Sequence, residues 1–143
     1  MSLNQIDGSR QIKDKTLNTF TKIKGEAFTL KAGQPVKFSG ASNCVLAQAD
    51  SLSNTTCGLV YEDTATGVST RIIMLGMIKV ADWTTPSGGS ATLTVGSEYW
   101  LSQGAAGVLT TTPPDSTGQI CQYVGLATST TEFYIQIEQP MVV

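Results

Sequence analysis

The chain closes with four short runs: LTVGSEYWLS (residues 93–102), GAAGVLTTTPP (104–114), GQICQYVGLAT (118–128) and TEFYIQIE (131–138). Each run alternates apolar with small or polar residues and stops at Gly, Pro or Ser-Thr. In the last run, Phe133, Ile135 and Ile137 share one parity while Tyr134 and its alternates share the other. Side chains alternate across a strand, so the stretch predicts short strands joined by tight loops. It contains no cluster of catalytic residues, which favours a structural module over an enzyme.

The preceding part of the chain shows the same pattern. Apolar, β-branched runs between turn residues predict further strands near residues 36–39, 43–49 and 56–62. The most apolar run, residues 69–81, is either one central strand or two strands bent at Gly76. We therefore expect an all-β fold: a compact β-sandwich or barrel of about eight short antiparallel strands, with an extended N-terminal arm.

Length and composition agree with this reading. A chain of 143 residues predicts one domain, and we place a docking arm at residues 1–27 and the β body at 28–143. Charged residues make up 14% of the chain, against about 25% in typical domains. No apolar run is long enough to span a bilayer, and the N-terminus lacks the apolar region of a signal peptide. We predict synthesis in a cytoplasm and no membrane partner.

Two residue counts restrict the chemistry. The chain has no histidine, so Ser-His-Asp triads, Cys-His dyads and histidine metal sites are excluded. The three cysteines, Cys44, Cys57 and Cys121, have no CxxC spacing. We expect small buried thiols rather than a disulfide framework or zinc site, with a Cys44–Cys57 bridge as the alternative. No catalytic residue, metal or cofactor is predicted.

Charge is placed unevenly along the chain. Seven of the nine basic residues lie within residues 1–37, whereas eight of the eleven acidic residues follow residue 38. The pattern indicates a basic arm that docks on an acidic protein surface, with a solvated or self-packing segment as the alternative. Spread lysines without interleaved aromatics argue against nucleic acid. The candidate docking residues are Arg10, Gln11, Ile12, Lys13, Asp14, Leu17 and Phe20.

Other candidate sites are sparse. Glu62 and Asp63 are adjacent acids, but neighbouring strand residues face opposite ways and cannot easily share a substrate. The side-chain oxygens of Asp50, Asn54 and Asp115 lie in predicted loops and could bind a cation, but the sequence contains no dense Asp, Asn and Gly loop of the kind that binds calcium. Trp83, Tyr99 and Trp100 are the aromatics most able to stack on a sugar or anchor a subunit contact, but we expect packing in the core or between subunits ahead of sugar binding. If residues 99–101 form a strand, one of the Tyr99–Trp100 pair faces inward and one outward.

Two segments carry a resemblance. The order Gly96-Ser-Glu-Tyr-Trp-Leu-Ser, Gly107-Val-Leu-Thr, Pro113-Pro and Gly118-Gln-Ile-Cys-Gln-Tyr-Val-Gly-Leu-Ala resembles β-rich segments of tailed-bacteriophage virion proteins, including tail fibres and capsid decoration or head-fibre proteins. Gly8-Ser-Arg-Gln-Ile-Lys-Asp-Lys-Thr-Leu resembles a Gln-Ile-Lys-Asp-Gly-Thr-Ile element of phage fibres, with Lys15 in place of the Gly. Together the matches cover about half of the chain.

The resemblance implies a structural role in the virion and a homotrimer. We expect a self-associating protein that decorates or cements the capsid surface through its arm, with the major capsid protein or another virion protein as partner. The alternative is a tail-fibre or tail-tip module that binds a host receptor or surface glycan. An enzyme, such as a carboxylate-dependent glycan hydrolase, is the third class.

Overall fold

The structure, a computed structural model, describes residues 29–40 and 43–143, together with the backbone of Thr19–Ile23. These parts contain twelve short strands, one single-turn helix and a 3-10 turn at Leu52–Asn54. The elements are β1 (Thr19–Ile23), β2 (Pro35–Ser39), β3 (Asn43–Leu46), β4 (Gly58–Val60), β5 (Ser69–Ile73), β6 (Leu75–Lys79), α1 (Thr84–Ser87), β7 (Glu98–Leu101), β8 (Leu109–Thr110), β9 (Ile120–Cys121), β10 (Tyr123–Ala127), β11 (Glu132–Gln136) and β12 (Met141–Val142).

Ten of the strands form two five-stranded antiparallel sheets. The first sheet has the order β1-β5-β4-β2-β3, the second has the order β6-β11-β10-β7-β8, and β12 pairs with β9. The predicted all-β class is confirmed. The strands outnumber the eight that we expected because β1 and β12 were not predicted, because the run at residues 118–128 forms two strands, β9 and β10, and because the run at residues 69–81 forms β5 and β6.

One chain segment connects the two sheets. The apolar run at residues 69–81 forms two strands, and β5 lies in the first sheet whereas β6 lies in the second. We expected the bend at Gly76, but the strands separate at Met74, two residues earlier. Gly76 has a φ of 108°, a conformation that only glycine adopts at low cost. The run passes from the first sheet at Ile73 to the second sheet at Leu75.

Part of the predicted arm belongs to the first sheet. We assigned residues 1–27 to a docking arm, but β1 pairs antiparallel with β5, and Phe20 lies opposite Ile72 in the register. The irregular apolar spacing hid this edge strand, because periodicity is weak over five residues. The other candidate docking residues, Arg10, Gln11, Ile12, Lys13, Asp14 and Leu17, lie outside the described residues.

The two sheets enclose the main core. Its side chains come from both layers, and several have no solvent exposure. The members include Leu59 and Ile73 of the first sheet and Ile78, Leu101, Val124, Phe133 and Ile135 of the second. A smaller core of Leu30, Val36, Cys44, Val60 and Ile72 lies on the opposite face of the first sheet. The final hairpin is as predicted, since Phe133 and Ile135 are buried and Tyr134 is exposed.

Gln122 joins the two halves of the sandwich. Its Oε1 accepts a hydrogen bond from the backbone N–H of Thr56 at 2.9 Å, and its Nε2 donates to the carbonyls of Thr56 at 3.0 Å and Glu138 at 3.2 Å. The side chain is 2% exposed. The buried amide of Gln122 thus has a partner for both of its polar atoms. Its hydrogen bonds link Thr56 and Glu138, which do not belong to neighbouring strands.

Three local features complete the fold. Residues 84–87 form α1, which ends at the left-handed Gly88. Within the first of the four closing runs, residues 93–95 form no strand, although Leu93 is buried. The three cysteines are free thiols, but only Cys44 is fully buried, whereas Cys57 and Cys121 are half-buried. Burial raises the pKa of both Cys57 and Cys121, so these thiols are mainly protonated at neutral pH.

Gly125 provides a test of the close packing at the centre of the second sheet. A Cβ at this position would meet the Tyr134 carbonyl oxygen and would approach the Phe133 ring at 2.7 Å. We expect Gly125→Ala to lower the free energy of unfolding by about 3 kcal/mol, because overpacking here displaces backbone. Gly104→Ala is the matched control, since a Cβ at Gly104 meets nothing within 4 Å. Equal urea midpoints for the two variants would contradict this packing.

Candidate functional site: the outer face of the second sheet

An apolar surface lies on the side of the second sheet that faces away from the core. The register places Leu75 and Met77 of β6 opposite Gln136 and Tyr134 of β11, and Tyr134 opposite Leu126 of β10. Paired residues point to the same side of a sheet. Tyr123 of β10 is likewise opposite Trp100 of β7. We call these six apolar residues (Leu75, Met77, Tyr134, Leu126, Tyr123 and Trp100) the outer face.

The outer face is open to solvent at one end. Leu75 and Met77 are each 46% exposed and Tyr134 is 37% exposed, whereas Leu126, Tyr123 and Trp100 are half-buried. Single exposed apolar residues are common on protein surfaces. Met77, Tyr134 and Leu126 lie side by side across β6, β11 and β10. Apolar residues that adjoin in this way mark candidate interaction sites.

Trp100 and Tyr123 form the aromatic end of the outer face. The rings of Trp100 and Tyr123 meet edge to face, with centroids 5.9 Å apart, a geometry that aromatic pairs favour. Burial raises the pKa of Tyr123, and the nearby carboxylates of Glu98 and Glu138 raise it further. The phenol therefore stays neutral at physiological pH and presents a flat surface with a single hydroxyl.

Charged residues lie at the margin of the outer face. Glu132 is opposite Lys79 at one end of the β6–β11 pair, and Glu98 is opposite Leu126. An apolar centre with a polar margin resembles the anatomy of protein–protein interfaces. The arrangement suits a protein partner better than a small charged ligand.

The structure separates the three aromatic candidates. Trp83 has no exposed surface: its indole N–H donates to the carbonyl of Thr131 at 3.0 Å, and its ring packs on Phe133 at 5.7 Å. Tyr99 is 4% exposed, and its hydroxyl accepts a hydrogen bond from the Thr94 N–H. Neither can stack on a sugar or reach another subunit, so both pack in the core, and the possible ligand or subunit contact is removed for these two residues. Trp100 alone faces outward, as the alternation of adjacent residues predicted for one of the pair.

The adjacent acids are bound to different cations. Glu62 pairs with Arg71 at 3.0 Å, and Asp63 pairs with Lys31 at 3.5 Å and accepts the Ala32 N–H. Asn54 donates to Asp50 at 2.7 Å, which uses a carboxylate oxygen within the predicted loop. Among the residues that the structure describes, no group of three or more His, Cys, Asp or Glu side chains converges as a metal site would require.

A groove of about 490 Å³ lies near α1 and β8. Hydroxyl groups dominate its lining, with contributions from Ser87, Ser90, Thr92, Thr94, Ser102 and Thr110. Such a lining offers hydrogen bonds to a neutral polar ligand. Tyr99, its only aromatic lining residue, is buried, so the groove provides no stacking platform of the kind that sugar sites use.

Comparison with known proteins gives no assignment. No protein-family model matches the sequence, and no curated protein matches it. In the part of the chain that the structure describes, no helix has the length and apolar character to cross a membrane.

Sequence reasoning missed most of the outer face. Leu75 and Met77 lie in the run that we assigned to the core, because the run is apolar on both faces and resembles a fully buried strand. Lys79, at the end of β6, was the available signal for an edge strand, since natural edges often carry lysine. Tyr134 was correctly predicted to point away from the buried face of its strand.

Adjacent residues of β6 should respond differently to substitution. We expect Met77→Lys to change the free energy of unfolding by less than about 1 kcal/mol, because its side chain is already half exposed. Ile78→Ala, one residue further, should cost about 2–5 kcal/mol, because Ile78 is 2% exposed in the main core. Chemical denaturation measures both. A large loss for Met77→Lys would show that the outer face is needed for folding.

Proposed function

We propose that this chain is a non-enzymatic structural protein of a tailed-bacteriophage virion. Copies self-associate, as a homotrimer, and decorate or cement the capsid surface. The N-terminal arm contributes the attachment to the major capsid protein or to another virion protein. The protein is made in the host cytoplasm and ends in the particle.

The outer face is the observation that supports this proposal most strongly. Leu75, Met77 and Tyr134 expose apolar surface on a rigid sheet, and a rigid apolar surface loses little conformational entropy when a partner covers it. The resemblance of the Gly96–Ala127 region to phage virion proteins supports the proposal that the partner is a phage particle. Repeated copies on a symmetric shell would add avidity to a modest contact at each site.

The boundary of the arm is set by its described strand. Because Thr19–Ile23 forms β1, the segment that precedes the first sheet is residues 1–18. Three basic residues, Arg10, Lys13 and Lys15, outnumber the acids Asp7 and Asp14 in it. A deletion that ends at residue 18 therefore tests docking, whereas one that ends at residue 27 also removes a strand of the first sheet.

One experiment tests both contacts in the assembled particle. We expect the double variant Met77→Lys, Tyr134→Lys to be a folded 15 kDa monomer by light scattering, while the natural chain is a trimer, because two desolvated lysines oppose burial of the face. The chain lacking residues 1–18 should fold but no longer join particles. Val95→Lys is the control, since Val95 is 59% exposed and lies outside the outer face.

Other results would overturn the proposal. A monomeric natural chain at micromolar concentration removes self-association through the face. Normal incorporation of the truncated chain removes the docking role of the arm. Failure of the natural chain to appear in any particle by cryo-electron microscopy removes the virion role altogether.

A receptor-binding or glycan-binding module at a tail tip is the second candidate. The half-exposed Trp100, held against Tyr123, is the feature that favours it, since an outward indole is a suitable sugar platform. We expect this alternative to show specific glycan binding on an array that Trp100→Ala abolishes. Binding that Trp100→Ala leaves unchanged, or no binding by the natural chain, would exclude this use of Trp100.

A further inference from the structure

The edge of β6 is unusually exposed for a sheet edge. Within the described residues, β6 pairs with β11 on one side and with no strand on the other. The strand is five residues long and carries Leu75 and Met77, with a single charge at Lys79. Open apolar edges invite pairing with another extended segment, and natural proteins usually cover them. Something of extended backbone is therefore expected here.

Hydrogen bonds show which side of the run is open. The Tyr61 N–H donates to the Arg71 carbonyl, so Arg71 and Ile73 direct their backbone groups toward β4. The Val80 N–H donates to the Thr131 carbonyl, so Ile78 and Val80 direct theirs toward β11. Backbone groups of successive residues point to opposite sides of a strand, and those of every second residue point to the same side. Leu75, Met77 and Lys79 consequently direct their N–H groups to the open side.

The open side of β6 is also the side on which β1 lies. Ile73 and Ile78 both face the main core. For L-residues, the direction of the side chain fixes the side to which the backbone groups of that residue point. Seen from the core, β4 and β11 therefore lie on the same side of the run. β1 lies on the opposite side of β5 from β4, which is the side of the open edge of β6.

The chain that precedes β1 starts next to this edge. Thr19 is opposite Ile73 in the antiparallel register, and Ile73 is two residues before Leu75. Eighteen residues precede Thr19. At about 3.3 Å for each extended residue, five or six of them match the length of β6. If the chain before Thr19 stays extended along the line of β1, it lies beside the open edge of β6.

We infer that residues 10–18 of the same chain continue β1 beyond Ile73 and pair with the open edge of β6. Main-chain hydrogen bonds supply the affinity in this mode of strand addition, and alternate side chains supply the fit. Continuing the register of Thr19 with Ile73 places Leu17 opposite Leu75 and Lys15 opposite Met77. Leu17 then supplies an apolar side chain and Lys15 an apolar stem to the outer face. The excess of basic over acidic residues in the segment complements the acidic body.

This inference goes beyond the proposed function and does not depend on it. It concerns the isolated chain and would hold for a protein with any location. If the virion role is correct, the added strand widens the outer face, because alternate side chains of the strand project to that side. The arm and the face then form one docking surface rather than two.

Amide hydrogen exchange by NMR tests the pairing at single residues. We expect the amides of Leu75, Met77 and Lys79 to be protected in the full chain and to exchange at least about tenfold faster in the chain lacking residues 1–18. The amide of Ile78, which points toward β11, should remain protected in both. The matched control lacks residues 1–9 only and should keep all four amides protected.

Two results would overturn the inference. Unchanged exchange at Leu75, Met77 and Lys79 after removal of residues 1–18 would show that the segment does not cover the edge. Protection in the full chain that disappears on dilution would assign the covering strand to a second copy. Both readouts are independent of particle incorporation, so they stand apart from the outcome of the virion experiment.

Discussion

The architecture depends on a single covalent constraint: residues 69–79 supply a strand to each sheet. Ile73 in β5 and Ile78 in β6 enter the same core from opposite layers. The sheets cannot separate without pulling this run apart, and the buried amide of Gln122 adds a second link at another point. The open edge of β6 and the outer face follow from the crossing, because the run enters the second sheet as its edge strand.

The fold could be predicted from the sequence where one face of a strand is buried and the other is exposed to solvent. The final hairpin is the clearest case, since Phe133 and Ile135 alternate with Tyr134 and the structure keeps that parity. The separation at Met74 was harder to predict. Because that run has apolar residues on both faces, it lacks the two-residue alternation of a half-buried strand. The site of its bend then depends on tertiary packing.

The site was less predictable than the fold for a related reason. Leu75 and Met77 have the composition of core residues, and only their position at a sheet edge exposes them. Sheet order is a long-range property that no local window contains. Trp83 shows the converse case, because its sequence left a ligand contact and core packing both open, and the residue packs in the main core. The phage role stays a proposal, supported by sequence resemblance and by surface character.

The contrast between the two tryptophans has a spectroscopic consequence. Trp83 is fully enclosed and packs against Phe133, whereas Trp100 is half-buried on the outer face beside Tyr123. Their emission should divide into a component that iodide cannot quench and a component that it can. The first reports on the integrity of the sandwich, and the second reports on whether the outer face is covered. The natural chain thus carries its own pair of fluorescent probes, one for folding and one for assembly, without any label.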